Sequence, residues 1–495
     1  MCQRASLHQA FHLESNLLVD SSSPNKNSPI PTSLIFHTKI SHIMRFLIPL
    51  AIVATIVVFM VSNFSVGAWV DIKVSRPDGS TILMIPAVTT FSLGKTVTDM
   101  YHAQVYTLMT LVLVFSGIWP YVKLLLMLVS WISPVSIMSF ETKEWLLILL
   151  DALGKYSLVD SFVLVLMLVS FKFHIDFPGI GFIDSYVIPA FGFYLFLMAT
   201  VLSLIIGHGV TFLHRFTKLK PTIQRSNYRQ ALRHHEFHFI DSIGGVRFAR
   251  LSPLAHKCWA LITVTCTIFL CIGATNKSFT FVFQGLLGDI LGENRSASYS
   301  LWTLGMSLPL SVEDPKSFGV TIIQITFLFF ALVMPFACLV TITILYYIPM
   351  TLRGQQIVFM LAEIANAWSA IEVFLLSVLA SMLELSQFAS FMVGDHCDFL
   401  KAKFFHDLFQ NQTCFSVESN VRVGVIYLCT GVAMYNLIVF MGLRLAHNAL
   451  EERMLREGDG EGSLPGNSNQ ESSTMISKMM RWKISSVFMN TIDQH

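Results

Sequence analysis

"DALGKYSLVDSF", residues 151–162, sits between "WLLILL" (145–150) and "VLVLMLVSF" (163–171). An apolar run of this length suits hydrocarbon, where roughly 20 helical residues cross about 30 Å. Yet the run carries Asp151, Lys155 and Asp160. A charge at bilayer depth costs about 2.5–3.5 kcal/mol on insertion scales. Something elsewhere in the chain must justify three of them.

The chain has 495 residues, 54% hydrophobic and 13% charged, with 41 Phe. A soluble domain carries about 25% charged residues, so one soluble core cannot hide this composition. The expected class is an all-α polytopic membrane protein. Eight runs are long enough to span: 44–68, 103–130, 145–173, 186–213, 257–275, 319–348, 357–390 and 421–446. The net charge of +2 gives no argument for nucleic acid. No phosphate-binding glycine loop, HExxH or GxSxG occurs, so the chain is read as neither an enzyme nor a cofactor protein. Eight cysteines are present without a CxxC pair, which argues against a metal site. Cys397 and Cys414 share one polar loop and are read as a candidate disulfide, with two free thiols as the alternative.

Orientation follows from Lys and Arg. The loop 214–256 holds Arg215, Lys218, Lys220, Arg225, Arg229, Arg233, Arg247 and Arg250. The alternate loops are poorer in both types. Both termini and 214–256 are therefore expected in the cytosol. The sequons at Asn294 and Asn411 then fall on the other side, as glycosylation requires. Localisation is read as multi-pass, in the plasma membrane or an endomembrane. Residues 1–43 read as a disordered cytosolic tail, and 448–495 as a cytosolic tail in which 476–488 is either an amphipathic helix or part of a partly ordered tail. "WVDIKVSRPDGSTILMI" predicts a β-hairpin, and "FTFVFQG" from Phe279 a second strand element.

"DALGKYSLVDSF" repeats as "EIANAWSAIEVF", residues 363–374, at a constant spacing of 212. Asp151 matches Glu363, Asp160 matches Glu372, and Phe162 matches Phe374. The preceding span repeats too, with Pro120 against Pro335, both read as helix kinks. "FSLG" (91–94) is set against "WTLG" (302–305). The expected organisation is two tandem four-helix units, 44–213 and 257–447, joined by the basic linker 214–256. Each unit would carry a small outer β element.

The stretch "SGIWPYVKLLLMLV…DALGKYSLVDSFVLVLML" resembles the paraquat-inducible protein A family. The likeness is stronger over 44–213 and weaker over 257–447. It implies a fold with a small outer sheet on each four-helix unit, as in claudin-like proteins. It also implies a role in moving or presenting lipids, with membrane lipids and a lipid-transfer protein on the non-cytosolic side as partners. The zinc ribbons of bacterial members are missing from this sequence. A non-transporting claudin-like scaffold and an ion-coupled solute carrier are the rival functions.

Asp151 and Lys155 are one turn apart and can pair. Asp160 needs a partner from another helix, and Lys123 is the candidate. Glu363 and Glu372 have no Lys or Arg between them. They must meet water, sit near an interface, take a proton or pair across the bundle. If spans three and seven start later, Asp151 and Glu363 are cytosolic-edge residues; otherwise two readings of Asp151, Lys155, Asp160, Glu363, Glu372 and Lys123 stay open. One is a cluster that fixes helix register. The other is a path for protons or lipid headgroups, in which removing Lys155 or Asp160 leaves stability intact. His208 and His214 are read as interfacial.

Overall fold

The computed structural model describes residues 40–76, 78, 80–134, 137–170, 172–177, 181–218, 229–234, 236–240, 246–250, 253–284, 296–312, 314–404 and 416–459. Among the described residues, eight helices are long and apolar enough to cross a membrane: His42–Phe64, Tyr106–Ile132, Thr142–Ser170, Phe191–Arg215, Pro253–Thr275, Phe318–Tyr347, Leu352–Glu384 and Val423–Leu450. They are called spans 1 to 8 below. The chain forms two compact units. The larger takes Met1–Leu219, Cys258–Val340 and Leu361–Val439, and so draws on both halves of the sequence. The smaller takes Lys220–Lys257, Thr341–Met360 and Phe440–His495.

Burial ranks the spans. Spans 3 and 7 are 72% and 67% buried over their most apolar windows, whereas spans 1 and 5 are 17% and 22% buried. The two spans that carry most of the intramembrane acids are therefore the most enclosed. Span 1 turns Phe46, Leu50 and Phe64 outward, as a lipid-facing helix does. Its inner side, with Ile52 and Phe59, packs on Leu124, Met127, Trp131, Leu150 and Phe196. Phe162, Phe327 and Phe374 form an edge-to-face cluster with centroids 5.5–5.9 Å apart. Such aromatic pairs add about 0.5–1.5 kcal/mol beyond area burial. Phe162 and Phe374, matched by the sequence repeat, thus pack on each other.

The irregular turns recur at matching places. Pro120 follows a π-helical turn at Leu113–Ile118, and Pro335 follows one at Phe329–Val333. Proline lacks an N–H and its ring collides with the carbonyl four residues back. Widening the preceding turn removes that collision, so each expected kink takes the form of a π turn. Span 3 tightens to a 3₁₀ turn at Lys155–Leu158. Span 7 breaks between Leu352–Trp368 and Ile371–Phe404, at the positions the repeat makes equivalent.

Among the described residues, three small sheets accompany the helices. Strands β1 (Ala68–Ser75), β2 (Thr81–Phe91), β3 (Phe173–Phe177) and β4 (Gly181–Pro189) form an antiparallel sheet in the order β2-β1-β4-β3. Strands β5 (Glu236–Ile240) and β6 (Val246–Arg250) pair as a hairpin within the smaller unit. Strands β7 (Phe279–Gln284), β8 (Ser296–Tyr299) and β9 (Ser416–Val421) pair in the order β8-β7-β9. The β1–β2 hairpin and the β7 strand match the sequence expectation. The β3–β4 hairpin corrects it, because 174–185 reads as a loop and 186–189 as part of span 4. An apolar strand running almost directly into a helix has no polar gap to mark the boundary. The helix Ile371–Phe404 runs on beyond span 7, so Cys397 lies in a helix and not in a loop. Asn294, Asn411, Cys414, the first 39 residues and the 476–488 segment lie outside the described residues, as does the Cys397 side chain.

The first and last of these sheets are joined to their helices by the same hydrogen bonds. Gly67 N donates to Phe91 O at 2.7 Å, Ala190 N to Gly67 O at 2.7 Å and Gly192 N to Val66 O at 3.0 Å. In the second half, Ser278 N donates to Tyr299 O at 2.7 Å, Arg422 N to Ser278 O at 2.8 Å and Gly424 N to Lys277 O at 3.2 Å. By this pattern the counterpart of Phe91 is Tyr299. The motif match with Trp302 is displaced by three residues. Just past span 3, Lys172 donates to the carbonyl of Leu310 and so ties the two halves together. Burial lowers the Lys172 ammonium from its ordinary lysine pKa, and the Asp184 charge opposes that shift.

Candidate functional site

Spans 3 and 4 run antiparallel, which sets two acid–base contacts two turns apart. Asp151 Oδ2 meets His208 Nδ1 at 2.7 Å. Glu144 Oε1 lies 3.7 Å from Arg215 Nε. Arg215 also forks onto Glu363 of span 7, with Nη2 donating to Oε1 at 3.0 Å and Nη1 donating to Oε2. A planar guanidinium suits this two-point grip on a carboxylate. Next to it, His208 stacks on Trp368 at 6.2 Å, and Trp368 stacks on Phe330 at 5.7 Å.

The central pair crosses the halves. Lys155 Nζ forms an ion pair with Glu372, and their side chains are only 7% and 14% exposed. Lys155 also donates to Asn366 O at 3.4 Å. Both residues lie near the middle of their spans. Among the described residues, Glu372 Oε2 and Asp151 Oδ1 have no hydrogen-bond donor.

Two expected pairings do not form. Lys155 does not take Asp151, because Glu372 competes for the lysine and His208 supplies Asp151 with a base. Helical spacing shows which pairs can form within a helix, and says nothing of a base arriving from a third helix. Lys123 does not take Asp160 either. It is fully buried and donates to Ser203 O at 3.3 Å and Ser203 Oγ at 3.4 Å. Its head rests on Gly154, where a Cβ would stand 2.4 Å from Nζ. In the second half the equivalents are the smaller Cys338 and the larger Asn366, a reciprocal exchange of bulk.

Asp160 is the acid left over. It makes no hydrogen bond or ion pair among the described residues. The repeat explains why. Glu372 takes Lys155, and the counterpart of Lys155 in the second half is Ala367. Asp160 instead lines a cavity of about 60 Å³ where spans 1, 3 and 4 meet the end of β2.

Sequence reasoning missed four contributors. His208 reads as interfacial, but it pairs and stacks inside the bundle. Arg215 is read with the basic loop 214–256, and Glu144 lies one residue before the expected span 145–173. Their spacing of seven from His208 and Asp151 was the signal for a shared face. Glu384 left no signal. Its carboxylate accepts from Thr107 N at 2.9 Å and Leu108 N at 2.7 Å, capping the helix Tyr106–Val112 from another span. Among the described residues, no three His, Cys, Asp or Glu gather as a metal site.

Residues 316–412 match the family model described as Paraquat-inducible protein A. This is the family that the sequence resembles. The match covers spans 6 and 7, including Glu363 and Glu372, in the half where the likeness reads as weaker. Neither curated proteins nor solved structures give a match.

Proposed function

We propose that this chain, with the paraquat-inducible protein A match in residues 316–412, moves or presents membrane lipids through a polar centre shared by its two halves. The observation that carries the reading is the Lys155–Glu372 pair, set mid-span in the two most enclosed helices. Ionisable residues at such depth mark pathways for protons, ions or substrates. One pair would suffice to fix helix register. This centre adds Asp151–His208, Arg215–Glu363 and an unpaired Asp160. The recurrent π turns, helix breaks and sheet joints support descent of the two halves by tandem duplication. Four spans per half give both the same orientation, related by an axis along the membrane normal. The sheets β2-β1-β4-β3 and β8-β7-β9 would face a lipid-transfer partner outside the cytosol.

The same sheets favour a second reading, a claudin-like scaffold that moves nothing. Transfer of a fluorescent phospholipid between vesicles separates the two. The wild-type chain should transfer lipid. The double variant Lys155→Met with Glu372→Gln should keep its fold and lose transfer. Wild-type-like transfer by the double variant would remove these residues from the pathway. If the wild type transfers no phospholipid, the scaffold reading stands.

Orientation follows from the basic linker and the sequons. Asn411→Gln should abolish a glycosidase-sensitive mass shift on the expressed protein. A tag at that loop reached only from the cytosol would invert the topology.

A further inference from the structure

We infer that the cavity beside Asp160 binds a primary ammonium group, which on the lipid-transfer reading above is the headgroup of an aminophospholipid. Three features of the lining argue for a cation that carries N–H donors. First, Asp160 is the only charged residue in the lining among the described residues. A phosphate would meet a carboxylate there without a lysine or arginine to offset it. Second, the polar neighbours offer acceptors. Ser62 spends its proton on Gly192 O at 2.7 Å, and one N–H of the Asn63 amide goes to Tyr121 Oη at 2.8 Å. The oxygens that remain can accept from an ammonium. Third, Phe91, Phe193 and Phe196 contribute to the walls. Aromatic rings beside a carboxylate are the chemistry that holds organic cations.

The molecule contains its own precedent. Glu372 is the repeat equivalent of Asp160, and it holds the Lys155 ammonium. The second half has Ala367 in place of that lysine, and among the described residues no ammonium of the chain meets Asp160. The cavity lies where the spans meet the sheet. Hydrocarbon gives way to headgroups at such a level.

Native mass spectrometry of the full chain in detergent tests this. The probes are phosphatidylethanolamine, phosphatidylcholine and phosphatidylglycerol at equal concentration. The ethanolamine lipid should be retained about tenfold over the other two, the scale of one charge-assisted, cation–π contact set. Asp160→Asn should erase the preference. Thr96→Phe, which fills the cavity from its half-exposed rim and leaves the acid in place, should erase it too and decides the matter if Asp160→Asn misfolds. Competition by soluble phosphoethanolamine would show that a free amine suffices, and failure to compete would assign the site to the lipid. Equal retention of all three lipids overturns the ammonium site while leaving lipid handling intact. A preference that survives both variants overturns it as well. A wild-type chain that retains no lipid and no phosphoethanolamine overturns both.

Discussion

Lys155→Ala should destabilise the protein by about 3–5 kcal/mol, the usual consequence of removing one member of a buried ion pair. The loss comes from Glu372, which would keep a charge in a site that is only 14% exposed. Adding Glu372→Gln should recover most of it, because an amide is neutral and keeps nearly the same volume. Chemical unfolding of the purified chain in detergent, read by tryptophan fluorescence and run on both single variants and the double, gives the comparison. A neutral Lys155→Ala would mean that the pair stands in water. That outcome would favour an open hydrophilic path over a sealed bundle. The sequence alone leaves both outcomes open: a register cluster would lose stability with Lys155, and a path for headgroups or protons would not. The structure supplies the partner, Glu372, whose stranded charge sets the expected loss.

How far the sequence can be read depends on the range of the interaction. The eight spans follow from composition and run length, because hydrocarbon thickness sets a local requirement. The β1–β2 hairpin follows from alternation and a Pro-Asp-Gly turn. Phe162 and Phe374 share a register, and they meet at the core. The β3–β4 hairpin is hidden, since its last strand merges with the apolar start of span 4. The site is legible only as an inventory. Asp151, Lys155, Glu363 and Glu372 stand out because charge in an apolar helix is costly. Their partners do not, because Glu372–Lys155 and Glu363–Arg215 join distant parts of the chain. Arg215 is hidden twice over, since it opens a basic loop where one more arginine carries no information. Asp160 is the instructive case. Its lack of a partner follows from the Lys155-to-Ala367 difference, which is visible in the sequence. Its meaning appears only once Lys155 is seen on Glu372.

Gly192→Ala and Gly424→Ala should each cost about 1–3 kcal/mol, as forced contacts in packed interiors do. Both glycines stand at the start of the last helix of their half. A Cβ on Gly192 would lie 2.7 Å from Val66 O and 3.0 Å from Ser65 O. On Gly424 it would lie 2.5 Å from Lys277 O and 2.8 Å from Asn276 O. These obstacles are backbone atoms, which cannot swing aside as a side-chain tip can. They also belong to the segment that carries the first span of each half into its first strand, so relief must lift the sheet from the helices. The two costs should add, because the joints share no partners. Gly209→Ala is the control. It sits in span 4 with nothing within 4 Å of the new atom. There alanine should be neutral, or stabilising by up to about 1 kcal/mol through helix propensity. The comparison needs only thermal unfolding of four proteins: the wild type, the two joint variants and the control. Parallel losses at 192 and 424 would show that both halves depend on the same close approach of helix to strand. A loss at one site alone would mean that only one sheet is held by its helices in this way. The other would then be free to move, and in a lipid-moving protein that half would be the one to open.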